Sequence, residues 1–245
     1  MTYLYLDIET VPNYNSKEEF FQIKKDIEEG KISPENNKEQ FFKFKRGMFN
    51  PFEGKTIVIT YQAGASEKII LKEWDSSEKE ILQSFFNAVN GISREAWAKK
   101  DPLSVVGFNI TAFDLPFLFA RMLQHKIITS DISNDHNPKW VFEKVFHFPI
   151  DLMQAHLHLN DFVTTGVKHN TVAKAYGFQP KDDIGEKMAE LYYSEKHKEI
   201  IDYVDKEFIY KPLLEKMIKN GLIEKEKFKK IVEEIIKNTG AKKAN

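Results

Sequence analysis

Thr2-Tyr3-Leu4-Tyr5-Leu6-Asp7-Ile8-Glu9-Thr10 opens the chain as a run of β-formers that ends in two carboxylates. Residues two apart on a strand point to the same face, so Asp7 and Glu9 stand side by side at the end of an otherwise apolar strand. Two like charges there repel unless a cation joins them. A third carboxylate, Asp114, follows in the distant segment Gly107-Phe108-Asn109-Ile110-Thr111-Ala112-Phe113-Asp114. Carboxylates converging from separate elements outline a site for hard divalent cations, where ions about 4 Å apart serve phosphodiester cleavage. A fourth ligand is expected from the C-terminal half, where Asp202, Asp205 and Glu207 crowd around Tyr203.

The pattern around these residues predicts a mixed α/β domain. Residues 56–62 and 68–74 read as two strands joined by the turn Ala63-Gly64-Ala65-Ser66. Between the first strand and this hairpin, residues 16–50 are charged and helical in tone, with a break at Ser33-Pro34, and read as an insertion. Ser76-Ser77-Glu78 caps a helix that carries Ile81, Leu82, Phe85, Phe86 and Val89 at helical spacing. Residues 103–108 form a buried strand, followed by a helix from Asp114 that carries Leu115, Leu118, Phe119 and Met122. From Asp151, itself placed as a helix start, the chain is mostly helical, with amphipathic segments over 199–219 and 225–237 separated by Asn220-Gly221. Three antiparallel strands followed by helix and strand alternation give one domain over 1–220, a helical extension over 221–238 and a disordered tail over 239–245.

Composition excludes several chemistries. The chain has 245 residues, 42% of them hydrophobic, enough to bury a core. It contains no cysteine, so disulfides, thiolate metal sites and thiol nucleophiles are out, and any metal is held by oxygen or imidazole. A formal charge of −1 provides no global attraction for nucleic acid, so any grip must be local. No apolar run suits a bilayer, and the first residues enter a strand directly, which reads as cytoplasmic.

In order and spacing, three segments resemble the DEDD exonuclease superfamily, and more closely the predicted 3′–5′ exonucleases related to the exonuclease domain of family B DNA polymerases. The likeness runs through Leu6-Asp7-Ile8-Glu9-Thr10-Val11-Pro12, Gly107-Phe108-Asn109, Phe113-Asp114-Leu115-Pro116, Ile150-Asp151-Leu152-Met153, Val172-Ala173 with Tyr176-Gly177-Phe178, and Ile201-Asp202-Tyr203-Val204. It implies a ribonuclease H-like fold, a two-metal mechanism with Mg²⁺ or Mn²⁺, and a nucleic-acid substrate, DNA in preference to RNA, cut at single-stranded or frayed ends. A repair or end-processing role without a polymerase domain is the corresponding expectation. The same resemblance makes Thr10, Asn109 and Phe113 candidates to meet the terminal nucleotide.

One departure stands out. Where the family has Tyr-x-x-x-Asp, this chain has Tyr203-Val204-Asp205-Lys206-Glu207, so Glu207 takes the place of the last aspartate. On a helix Tyr203 and Glu207 share a face, and a ligand set of Asp7, Glu9, Asp114 and Glu207 results, with Tyr203 orienting the attacking water. Phe208-Ile209-Tyr210 and Leu213-Leu214 are expected to continue that helix. A rival frame, His197-Lys198-Glu199-Ile200-Ile201-Asp202, makes Asp202 the ligand and His197 a general base. Because glutamate is one methylene longer, a catalytically weakened module that binds nucleic acid or a protein is the alternative, beside an RNA-trimming enzyme with the same site.

Other motifs carry weaker signals. Phe41-Phe42-Lys43-Phe44-Lys45-Arg46 interleaves rings with cations, as single-strand binding requires, but also reads as an amphipathic helix. His156-Leu157-His158 has no third zinc ligand. Lys168-His169-Asn170-Thr171 is open between a phosphate contact and none. Lysines near 225–230 alternate with glutamates as on a solvated helix face.

Overall fold

A computed structural model describes residues 2–99, 101, 103–128, 149–157, 167–180, 187–223 and 230. The segment expected as a helix over 225–237, residue 230 apart, the tail after 239 and His158 lie outside these residues.

Five strands, β1 (Thr2–Pro12), β2 (Gly54–Ala63), β3 (Ile69–Lys72), β4 (Leu103–Gly107) and β5 (Ile150–Asp151), form one sheet in the order β3-β2-β1-β4-β5. β1 pairs antiparallel with β2, and β2 with β3, whereas β4 and β5 add in parallel. This mixed sheet flanked by helices is the ribonuclease H-like arrangement expected from the sequence. The third strand is shorter than expected, because residues Glu73–Asp75 leave the ladder as a 3₁₀ turn. Glu73 is drawn off by Lys55 Nζ at 3.1 Å and the Tyr192 hydroxyl at 2.5 Å, while Trp74 stacks on His197 with ring centres 4.3 Å apart.

The insertion forms α1 (Lys17–Glu28), α2 (Lys38–Arg46) and a 3₁₀ turn over Gly47–Phe49. Ser16 caps α1 and Asn37 caps α2 through their side-chain oxygens. Phe41 and Phe44 pack against the core from α2, as the amphipathic reading expects. The long helix α3 (Glu78–Ala98) starts from a reciprocal box in which Ser77 and Glu80 bond each other's backbone N–H. After β4 comes α4 (Asp114–Gln124); after β5, short helices α5 (Gln154–Leu157) and α6 (His169–Ala175); then α7 (Met188–Tyr193), α8 (His197–Glu207) and α9 (Tyr210–Lys219).

Alternation along β1 divides the interior. Leu4, Leu6 and Ile8 join a core with α3 and α4 on one face. The other face carries Tyr5, Asp7, Glu9 and Val11, and here two further cores meet. Val11 belongs to one, with Phe20 of α1, Met188 of α7 and Tyr203 of α8. Tyr5 belongs to the other, with Val106, Ile150 and Tyr210, Leu213 and Met217 of α9. The helix expected to run unbroken past Glu207 stops there and restarts at Tyr210, with Phe208 and Ile209 between. Pro212, in the first turn of α9, has no N–H to bond the Phe208 carbonyl, so one helix cannot run through, and the two helices that result pack into the two different cores.

Asp151 ends β5 and also caps the entry to α5, as the sequence reading expects. Its Oδ1 accepts from the backbone N–H groups of Asn109, Met153 and Gln154, and its Oδ2 from the N–H and hydroxyl of Thr111. It thereby ties the loop before Asp114 to the strand end.

Candidate active site

Asp7 and Glu9 lie on the face of β1 that the α8–α9 junction covers, and a register irregularity between Glu9 and Thr10 loosens the pairing with β2 at that point. Bulges of this kind re-aim side chains beside sites. Glu207, the last residue of α8, comes in from above. Carboxylate oxygens of Asp7, Glu9 and Glu207 lie within 4.8 Å of one another. At that separation each ionised pair repels by about 3 kcal/mol or more at an effective dielectric of about 20. Three such pairs would rival the stability of a whole domain, about 5–15 kcal/mol. The cluster therefore calls for a cation, and its all-oxygen donor set suits a hard divalent ion.

Asp114 is not one of that closest trio but abuts it. β4 ends at Gly107 while β1 runs on to Pro12, which leaves Ile8 beyond the reach of the β4 ladder. The Ile8 N–H donates instead to Asp114 Oδ1 at 3.1 Å. The chain turns tightly to bring this about: a Cβ on Gly107 would lie 2.7 Å from the Leu6 carbonyl oxygen, and Asn109 takes a φ of 60°, which asparagine tolerates better than most residues. Burial, then the charges of Asp7 and Glu207, push the Asp114 carboxyl well above the ordinary aspartate range, against the pull of backbone N–H groups.

Two tyrosines complete the surroundings. Tyr203 hydrogen-bonds Glu207, and Tyr210 donates to Asp7 Oδ1 at 2.7 Å. Burial first, then the neighbouring carboxylates, raise both phenols far above their usual value, so both stay protonated as donors. Tyr210 is passed over in the sequence reading as part of a continuing helix. Helical spacing gives no signal for it, because Tyr210 lies beyond the break at Phe208-Ile209.

The remaining candidates separate. Thr10 is buried, its hydroxyl donating to the Met48 carbonyl at 2.6 Å. Phe113 precedes α4, half-buried, its ring 6.0 Å from that of Phe49 and 5.6 Å from that of Phe117. Asp202 is exposed and His197 lies against Trp74; among the described residues neither joins the acidic group. His156 is engaged with the Leu152 carbonyl and the Tyr176 hydroxyl.

A mixed sheet of this order with an acidic cluster on its central strand defines a ribonuclease H-like exonuclease fold. A family model described as a predicted 3′–5′ exonuclease related to the exonuclease domain of PolB matches residues 52–244, and the chain belongs to that family. The matched stretch begins after β1, so Asp7 and Glu9 lie outside it. Among solved structures, the chain is similar to a family B DNA polymerase from the hyperthermophilic archaeon Pyrobaculum calidifontis, with 16% identity and a TM-score of 0.55 over 89% of this chain and 24% of that one. The chain thus spans about a quarter of that polymerase. No curated protein matches. Among the described residues, no helix is long and apolar enough to cross a membrane.

Proposed function

We propose that the chain is a metal-dependent 3′–5′ exonuclease that hydrolyses terminal phosphodiesters of single-stranded or frayed DNA. The observation that carries this reading is the gathering of Asp7, Glu9 and Glu207 within 4.8 Å, with buried Asp114 against them. Mg²⁺ or Mn²⁺, two ions in the full site, would be held by these four carboxylates. Bound there, the cations would supply Lewis acidity to the attacking water and neutralise charge at the leaving oxygen.

The chain's own groups fix the geometry. Tyr210 pins Asp7 through its hydroxyl, and Tyr203 does the same for Glu207, which compensates for the extra methylene of glutamate by holding one rotamer. Asp114 accepts from the Ile8 N–H within β1, which ties the start of α4 to the strand that carries Asp7 and Glu9. Tyr203 is a positioning residue in this account and cannot act as a base, since its phenol stays protonated. Residues 1–220 constitute the exonuclease domain in this proposal, because α9 shares a core with β1, β4 and β5.

Digestion of end-labelled single-stranded DNA and RNA with Mg²⁺ or Mn²⁺ tests the proposal. Wild type is expected to shorten DNA from the 3′ end, and Asp7→Ala and Glu207→Ala to lose that cleavage. Absence of any metal-dependent cleavage by wild type would refute the enzyme reading, and cleavage that survives Glu207→Ala but not Asp202→Ala would move the fourth ligand to the rival frame.

A further inference from the structure

Residues 47–53, between α2 and β2, form a turn whose backbone is anchored on several sides. The Met48 carbonyl accepts the Thr10 hydroxyl, and the Pro51 carbonyl accepts Arg121 Nη1 at 3.0 Å and Gln124 Nε2 at 3.1 Å. The Asn50 carbonyl receives the N–H groups of Glu53 and Gly54, and the Glu53 carbonyl that of Asn13. Gly54 allows no side chain, since a Cβ would come 2.5 Å from the Gly47 carbonyl oxygen. This turn nonetheless turns two phenylalanines outward: Phe49 is 63% and Phe52 77% exposed, the two most exposed large hydrophobics among the described residues. Single exposed rings are commonplace. These two sit on a rigid support, and Phe49 meets the half-buried ring of Phe113 edge-on.

The turn is tied to the acidic site through two adjacent residues. Met48 is bonded to Thr10, the residue after Glu9, and Phe49 contacts Phe113, the residue before Asp114. Just upstream, the exposed Lys45 and Arg46 close α2, with the Arg46 guanidinium 5.5 Å over the Phe42 ring. Fixed rings beside clustered cations are what a single strand requires: bases stack on the rings and phosphates meet the cations, whereas a duplex keeps its bases stacked on each other. We infer that Phe49 and Phe52, with Lys45 and Arg46 a few residues upstream at the end of α2, form a stacking platform for unpaired nucleotides of the strand whose end enters the acidic site. The inference rests on the nucleic-acid reading above and adds the feature that selects single strands.

The test separates the platform from catalysis by measuring binding in chelator. A fluorescein-labelled oligothymidylate and its duplex with oligoadenylate are titrated against wild type, Phe49→Ala, Phe52→Ala, the double variant and Phe49→Trp. Stacking is worth roughly 1–3 kcal/mol per base, about 5- to 150-fold in affinity. Each alanine is expected to weaken single-strand binding by roughly 10-fold with the salt slope unchanged and duplex binding little altered. Lys45→Ala with Arg46→Ala is expected to lower the salt slope by about 0.7 per lost phosphate contact. Phe49→Trp is expected to retain binding and to show tryptophan quenching on addition of the oligonucleotide. Single-strand binding by the double variant equal to wild type would overturn the platform, as would a change confined to self-association on a sizing column. Neither result depends on whether wild type cleaves, so failure of the platform and failure of the nuclease reading remain distinct.

Discussion

Replacing Asp114 by asparagine should make the protein more stable and less useful. In the absence of metal, burial and the charges of Asp7 and Glu207 raise its carboxyl. A group whose folded pKa is raised favours the fold below its unfolded value, about 3.9, and loses that contribution as pH climbs through the folded value. Near pH 7 the penalty on the wild-type fold cannot exceed the cost of holding a proton across about 3 units, roughly 4 kcal/mol. Asparagine is uncharged in both states and keeps an oxygen for the Ile8 N–H. The backbone N–H groups that favour the ionised form keep the gain below that ceiling. Thermal melts in chelator from about pH 4 to 8 check this. The Asp114→Asn melt should coincide with wild type at the acid end and pull ahead as pH rises. Addition of Mn²⁺ should invert the order, because only the four-carboxylate site gains stability from binding. A variant less stable than wild type at neutral pH in chelator, or an offset that does not change with pH, would refute the reasoning.

Other expectations follow from single contacts. Tyr210→Phe removes the donor to Asp7 and should reduce Mn²⁺ affinity, read from metal-dependent melting, by roughly 10- to 100-fold while leaving oligonucleotide binding in chelator unchanged. Glu78→Gln leaves buried Arg121 without its counter-charge and should cost about 3–5 kcal/mol, visible in urea unfolding. Burial pushes the Glu78 carboxyl up, but Arg121, the Thr56 N–H and His125 together hold it below the usual range. Its stabilisation is therefore present above the unfolded value, about 4.3, and is lost as pH falls through the lower folded one, so wild type should lose its advantage over Glu78→Gln in strong acid. Glu207→Asp should retain a Mn²⁺-induced rise in melting temperature, whereas Glu207→Ala should abolish it and Asp202→Ala should leave it intact.

What the sequence displayed and what it concealed divide along physical lines. Asp7 and Glu9 were legible because a strand repeats every two residues, and the Phe113-Asp114 pair because a short apolar strand and a helix bracket it. The break at Phe208-Ile209 had a local signal that the helical reading passed over: Pro212 has no N–H for the Phe208 carbonyl and is tolerated only in the first turn of a helix that starts afresh. Tertiary packing agrees with it, since Tyr5 and Val11 on one face of β1 belong to separate cores with Asp7 and Glu9 between them. Tyr210, expected only to continue α8, starts α9 and donates to Asp7. The division of the cores also bears on the boundary of the family match, which starts after β1 and so leaves out half of the acidic cluster. The matched segment provides Asp114, Tyr203, Glu207 and Tyr210, groups that have nothing to act upon unless an acidic strand is laid between β2 and β4. β1 fills that place by pairing with both neighbours. Removal of β1 would thus expose the edges of β2 and β4 and merge two cores, and metal binding and folding should be lost together rather than in succession.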